Sequence, residues 1–265
     1  MNRILAIALA AGLLAVPAPA AAAARMPNYF YPTVLCATCA KDAQGVPMYA
    51  YSGIEEYNPI TIEQTALYYY SKEYSTPFTV MADRLVKNQT ADGLWLYNFA
   101  FLSQPVPWWS AMAQGQGISV LVRGASWTGL DPTKRAAYAA AAELAYTAFG
   151  RTIADRGVVN GDWFEEYLPP DHPQVLNGMI FAMAGVRDWA LYSGGSMDLW
   201  NTSLASLALH LPFYGPANGG CHYDRTASVE TAAYDAVVNK ELLWLYALTG
   251  QAEYNNYANR FARHC

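Results

Sequence analysis

The chain reads as all-α, an incomplete α/α toroid of paired antiparallel helices behind a short irregular N-terminal arm. Three observations predict this. Apolar residues recur with a helical period through most of the chain after residue 60. The helical runs come in pairs, joined alternately by tight turns and by longer loops loaded with aromatic and polar side chains. Strand signal is sparse, which argues against a sandwich or a doubly wound sheet. Hairpins closing round a common axis collect their longer loops at one end, and a plain helical bundle is the alternative.

Residues 1–24 have the pattern of a secretory signal: Arg3, then an apolar run from Ile4 to Val16, then small residues from Pro17 to Ala24. The apolar run is short for a bilayer span. The expectation is export, into the medium or into a periplasm or cell envelope, with no stable membrane span after cleavage. Residues 25–57 are rich in Pro, Gly and Tyr without a period and read as the irregular arm. Residues 58–265 read as one helical domain.

Its first helices are expected at Ile62 to Tyr74 and Pro77 to Asn88. Asp92-Gly93 makes a turn, and Leu94 to Phe99 a short strand. Ser110 caps a helix to Arg123, and Asp131-Pro132 opens an Ala-rich one to Phe149. Four more are expected at Val175 to Leu191, Met197 to Leu211, Val229 to Leu248 and Glu253 to His264.

A formal net charge of −5 argues against nucleic acid as a partner. The 20 Tyr and 8 Trp suit stacking on sugar rings and suit an ordinary core equally. Four cysteines in an exported chain imply two disulfides, with three pairings open; Cys36–Cys39 with Cys221–Cys265 is preferred. Cys36 and Cys39 also look like half of a zinc ribbon, but no second pair completes it.

The chemistry concentrates in Asp162-Trp163-Phe164-Glu165-Glu166-Tyr167, followed by Leu176-Asn177-Gly178. Carboxylate and phenol oxygens are suited to moving a proton, and Trp163 offers an apolar face for a sugar ring. A solvated, capped loop is the plainer reading of the same residues. Trp109, Gln114 and Gln116 lie in a second segment with Gly115 and Gly117; the glutamines suit sugar hydroxyls, the glycines tight helix packing. A third segment carries Tyr223 and Arg225, and Arg225 suits a substrate carboxylate or a surface pair with Asp224. The fourth is Tyr234, which on spacing alone reads as a core aromatic.

These strings together resemble the D-glucuronyl C5-epimerases. Trp109-Ser110-Ala111-Met112-Ala113-Gln114-Gly115-Gln116 is similar to the family's helix motif, and Trp163 to Tyr167 with Leu176-Asn177-Gly178 to its Glu-Glu-Tyr and Leu-Asn-Gly signature. Leu211 to Tyr214, Tyr223-Asp224 and Tyr234 follow in the family's order. The resemblance covers about Ser75 to Arg263 and implies an α/α toroid that inverts C5 of a glucuronate within a uronate-containing polysaccharide. It implies Glu166 and Tyr234 as acid/base groups, Tyr167 and Tyr223 as further active-site phenols, and Arg225 near the substrate carboxylate. It also implies a homodimer, as in animal members. Asp235 and Val238 stand where the family has histidines, and the family's large N-terminal β region is nearly absent.

The residue types fit the reaction. A uronate C5 hydrogen is a very weak acid, and its removal builds enolate charge that Arg225, Tyr223 and Tyr167 would stabilise. Inversion needs a base on one side and a donor on the other. With a phenol pKa near 10, Tyr234 is the natural donor. Neither transfer calls for a cofactor or a metal. Two other readings use the same residues: a uronan lyase, which starts with the same proton abstraction, and a non-catalytic envelope glycan-binding protein.

Overall fold

The structure, a computed structural model, describes residues 25–171, 173–216, 218–229 and 231–265; the expected signal segment lies outside them. It is mostly helical with small sheets. Among the described residues eight α-helices carry the fold: α1 Pro59–Ser71, α2 Ser75–Asn88, α3 Ala111–Ser126, α4 Pro132–Tyr146, α5 Leu176–Ser193, α6 Asp198–Tyr214, α7 Ala232–Thr249 and α8 Ala252–Phe261. No helix among the described residues is long and apolar enough to cross a membrane.

The helix starts follow from capping chemistry. Asn58 accepts from the Thr61 amide ahead of Pro59, and Asp131 accepts from Thr133 and Lys134 ahead of Pro132. In both cases the proline occupies a position whose N–H would otherwise lack a partner. Ser110 caps α3 through the Met112 amide, as its sequence predicts. Gly194 and Gly250, both left-handed, end α5 and α7. Helix α6 runs three residues past its expected end at Leu211, carrying Pro212 inside its last turn.

Each even-numbered helix packs on its predecessor, and the odd-numbered helices contact one another in series: α1 with α3, α3 with α5, α5 with α7. Every residue of α3 is buried, which makes it the centre of the fold. The α3–α5 crossing is close because Gly115 and Gly185 meet there; a Cβ on Gly115 would lie 2.5 Å from the Ala182 Cα. Leu, Met and Phe side chains of α5 fill the core around this crossing.

The arm differs from its expectation. Residues expected to be irregular form a three-stranded antiparallel sheet, β1 Ala40–Lys41, β2 Pro47–Tyr51 and β3 Ile54–Glu56. The reason is local. Asp42 turns the chain by accepting from the Gln44 and Val46 amides, and Ser52-Gly53 takes positive φ at both positions, the two-residue hairpin geometry that matches strand twist. The expected strand at Leu94 to Phe99 reduces to a bridge between Tyr97 and Trp108.

Both preferred disulfides are present, Cys36–Cys39 and Cys221–Cys265.

Candidate active site

Glu166 follows a short hairpin of β4 Val159–Asn160 and β5 Trp163–Phe164. Glu165, its neighbour, is structural. Its carboxylate accepts from the Asn160 side chain at 2.8 Å and from the Gln174 amide at 2.7 Å, and its carbonyl accepts from the Ala111 amide at the start of α3. Further along, Leu168 and Gln104 exchange two hydrogen bonds of 2.8 Å. The backbone on both sides of Glu166 is thereby fixed.

Glu166 itself is 5% exposed, and its Oε2 has no hydrogen-bond partner. Burial pushes its carboxyl up to about 7; a hydrogen bond with Tyr167 opposes the rise and the Glu165 charge adds to it. A carboxyl near neutrality is matched to general acid/base work. Gly178, in the first turn of α5, makes room for it, because a Cβ there would collide with the Glu166 carboxylate.

Three phenols surround this acid. Tyr223 donates to the Tyr167 hydroxyl at 3.3 Å, and the rings of Tyr223 and Tyr234 meet edge-on at 4.9 Å. Tyr234 donates to the Asn177 side-chain oxygen on α5. Burial raises Tyr234 well above the ordinary phenol range, and the charges of Glu166 and the other two phenols add to the rise. Tyr167 is raised by burial and then by Glu166. Both phenols therefore hold their protons at neutral pH, as donors beside an acid poised to gain or lose one.

Two connections hold Tyr223 and Tyr234. The Tyr223 carbonyl accepts from the Leu176 amide at 3.2 Å, which ties its loop to the start of α5. Beyond α8, Cys265 is bridged to Cys221, two residues before Tyr223, while His264 pairs with Asp235, next to Tyr234. Asp235, where the resembling family has histidine, is thus a buried anchor for the segment after α8.

The remaining expected residues go elsewhere. Gln114 is fully buried and engaged by backbone: it accepts from the Trp95 amide and donates to the Gly93 carbonyl, both at 2.9 Å. Trp163 is fully buried, stacked on Tyr214 at 5.7 Å, so it packs the core and gives no face to a sugar. Gln116 lies in the interior with both amide atoms unpartnered. Trp109 donates to the Gly157 carbonyl at 2.7 Å beneath the Arg156 guanidinium. Arg225 is exposed, with its guanidinium 4.2 Å over the Phe213 ring; its amide donates to the Pro173 carbonyl. The structure brings Glu166, Tyr167, Tyr223, Tyr234 and Asn177 together, and leaves Gln114, Trp163 and the Arg225 guanidinium outside that cluster.

Sequence reasoning missed the opposite wall. Glu166 and Tyr167 share a pocket with Tyr51 of β2, Asn58, Phe99 and Trp108. The Ser-Gly pair after Tyr51 was the available signal, since it marks a hairpin that would carry Tyr51 toward the helices. Among the described residues, no group of three or more His, Cys, Asp or Glu could hold a metal ion.

Fold and site define a mostly helical domain, packed round α3, that carries an acid–phenol cluster. The chain belongs to the D-glucuronyl C5-epimerase C-terminus family, which matches residues 88–263. It is 28% identical over 220 residues to a D-glucuronyl C5-epimerase of Caenorhabditis elegans, covering 72% of this chain and 35% of the relative. It is also 27% identical over 180 residues to an uncharacterized protein of Methanocaldococcus jannaschii, covering 63% of this chain and 56% of the relative. The chain thus spans about a third to just over half the length of these relatives.

Proposed function

We propose that this protein is a polysaccharide uronate C5-epimerase that converts D-glucuronate to L-iduronate within a glycan chain. The observation that carries the reading is the meeting of Glu166, poised at about 7, with the protonated Tyr234 on a separate element. Ionised Glu166 removes the C5 proton, and the Tyr234 hydroxyl returns one from the other side of the ring. Tyr167 and Tyr223 donate hydrogen bonds to the substrate carboxylate as enolate charge develops on it. The exposed Arg225 guanidinium, over Phe213 and outside this cluster, is left to meet a uronate farther along the chain.

The series of contacts among odd-numbered helices supports the toroid reading. The signal-like residues 1–24 support export to the cell envelope or medium.

The test is incubation with heparosan in deuterated water, followed by NMR of the recovered polymer. Deuterium at C5, without chain cleavage, is the expected result. An unsaturated, ultraviolet-absorbing product would make the protein a lyase. Unlabelled polymer from folded protein would overturn the reading.

A further inference from the structure

The interior beside Glu166 holds polar groups that neither the packing nor the proposed chemistry uses. Glu63 on α1, Gln116 and Ser119 on α3, and Glu241 on α7 are each 0% exposed. Every polar side-chain atom of these four lacks a hydrogen-bond partner among the described residues. The Tyr29 hydroxyl, near the start of the arm, is unpartnered as well, and so is Glu166 Oε2 where it faces Gly178. An unpaired buried polar atom costs free energy unless a neighbouring group or interior water satisfies it.

Helix geometry turns these groups toward one another. Gln116, Ser119 and Arg123 stand at i, i+3 and i+7 on one face of α3. The Arg123 guanidinium lies 5.2 Å from the Tyr29 ring and 5.9 Å from that of Tyr70. Tyr70 follows Glu63 by two turns of α1, so Glu63 shares the face that meets Arg123. Glu241 likewise follows Tyr234 by two turns of α7. The far end is closed. Phe30 stacks at 4.3 Å on Trp244 of α7 and at 5.5 Å on Phe181 of α5, and Arg123 is paired with Asp188 at 2.6 Å. Electrostatic contact links the groups in a series that begins at the active site. The Glu166 charge acts on Glu241 and Tyr97, the Glu63 charge on Tyr97 and Tyr29, and the Glu241 charge on Tyr29. Burial holds both interior carboxyls well above their ordinary range, so they carry protons at neutral pH.

We infer that this buried cluster is a proton pool for Glu166: the protons of Glu241 and Glu63, linked by interior water that Gln116, Ser119 and Tyr29 hold, interchange with the proton that Glu166 takes from C5. Unpaired buried polar groups of this kind are the ones that bind ordered interior water. The exchange is balanced. Glu166 takes the C5 proton while the C–H electron pair passes to the enolate. That proton moves inward along the hydrogen bonds, and one from the pool replaces it on Glu166, with no change in net charge. Glu166 can then return a proton other than the one removed, even while polymer covers its pocket. Glu63 and Glu241 touch no substrate and act only through Glu166. The inference rests on the epimerase reading for its use, and adds the fate of the abstracted proton.

The experiment supplies heparosan carrying deuterium at C5 in ordinary water. At low conversion it measures deuterium lost from residues that are still glucuronate, relative to iduronate formed. Wild type should lose that label at least as fast as iduronate appears. Glu241→Leu and Glu241→Gln, whose side chains cannot pass a proton on, should lower the ratio about tenfold or more, because a proton-transfer partner is lost. Glu241→Asp should recover most of it. The ratio does not depend on how much protein is folded, so a merely structural defect leaves it unmoved. A wild type that keeps its label, or a ratio unchanged in both Glu241→Leu and Glu241→Gln, would overturn the pool. Absence of iduronate with every protein would instead sink the epimerase reading. The pool is then decided on the unliganded protein by infrared spectroscopy at neutral pH. Neutral-carboxyl bands that vanish in Glu63→Gln and Glu241→Gln, and that shift in deuterated water before the α3 amides exchange, support it. Bands that are missing, or that shift only with those amides, remove it.

Discussion

Replacing Glu166 with Gln should destroy proton exchange and yet relieve the protein of a pH-dependent cost. The carboxyl sits at about 7 in the fold, against an ordinary value of 4.5. That gap corresponds to about 3 kcal/mol at 1.36 kcal/mol per pH unit. The sign follows from the direction. The folded state holds this proton more tightly than the unfolded chain, so the stabilisation is complete below pH 4.5 and is lost as pH rises through 7. Glu63, also buried and raised by burial, imposes the same trend but is present in both proteins and cancels in the comparison; Glu241, raised by burial and then by the Glu166 charge, cancels in its burial part. Any fixed cost of burying the Gln amide cancels as well, because it does not vary with pH. Urea unfolding of wild type and Glu166→Gln at pH 4.5 and pH 8 gives the required difference. Wild type should lose about 3 kcal/mol relative to the variant between the two, equivalent to roughly 6–12 °C in Tm. Parallel pH dependence of the two proteins would refute the claim that Glu166 is a buried acid poised near neutrality.

Tyr234→Phe should lower C5 exchange by about 100-fold or more, the range for a lost acid/base group, with little change in Tm. Asn177→Ala should act in the same direction but less, because it removes the acceptor that orients the Tyr234 hydroxyl. Gly178→Ala drives a methyl into the Glu166 carboxylate; it should cost about 1–3 kcal/mol by urea unfolding and reduce kcat more than it raises KM. Cys221→Ser with Cys265→Ser should release the loop bearing Tyr223 and the His264–Asp235 contact, lowering kcat, whereas Cys36→Ser with Cys39→Ser should leave kcat near wild type.

The helices were legible because their punctuation is chemical. Asp131-Pro132 and Ser110 mark starts that the structure keeps to within a residue. The start of α7 was less legible. Val229 extends the apolar pattern, but Thr231 is the residue whose side chain accepts from an amide in the first turn, so the helix begins at Ala232. Alternation could not reveal the arm as a sheet, because its strands are two to five residues long, and only the Ser52-Gly53 turn marked it.

The candidate site divides along the same line. Glu166, Tyr167, Tyr223 and Tyr234 could be named from their strings, and the fold brings them together. Side-chain direction could not be read. Gln114 and Gln116 stand two apart on one helix, and the first is consumed by the Gly93 turn while the second points into the core. Trp163 and Glu165 carry the bracing of the loop, and only the contacts of β4 and α3 separate their work from that of Glu166. Tyr51 belongs to the site because its hairpin, far ahead of α3 in the sequence, folds across to it.

The central claim is a two-sided exchange, one proton leaving to Glu166 and another arriving from Tyr234. NMR of heparosan recovered from deuterated water measures it most directly, by reading deuterium at C5 separately in glucuronate and iduronate residues. Wild type should place label in both epimers, with Glu166→Gln and Tyr234→Phe each suppressing the interconversion. Iduronate formed without C5 deuterium, or formed undiminished by both variants, would contradict the account.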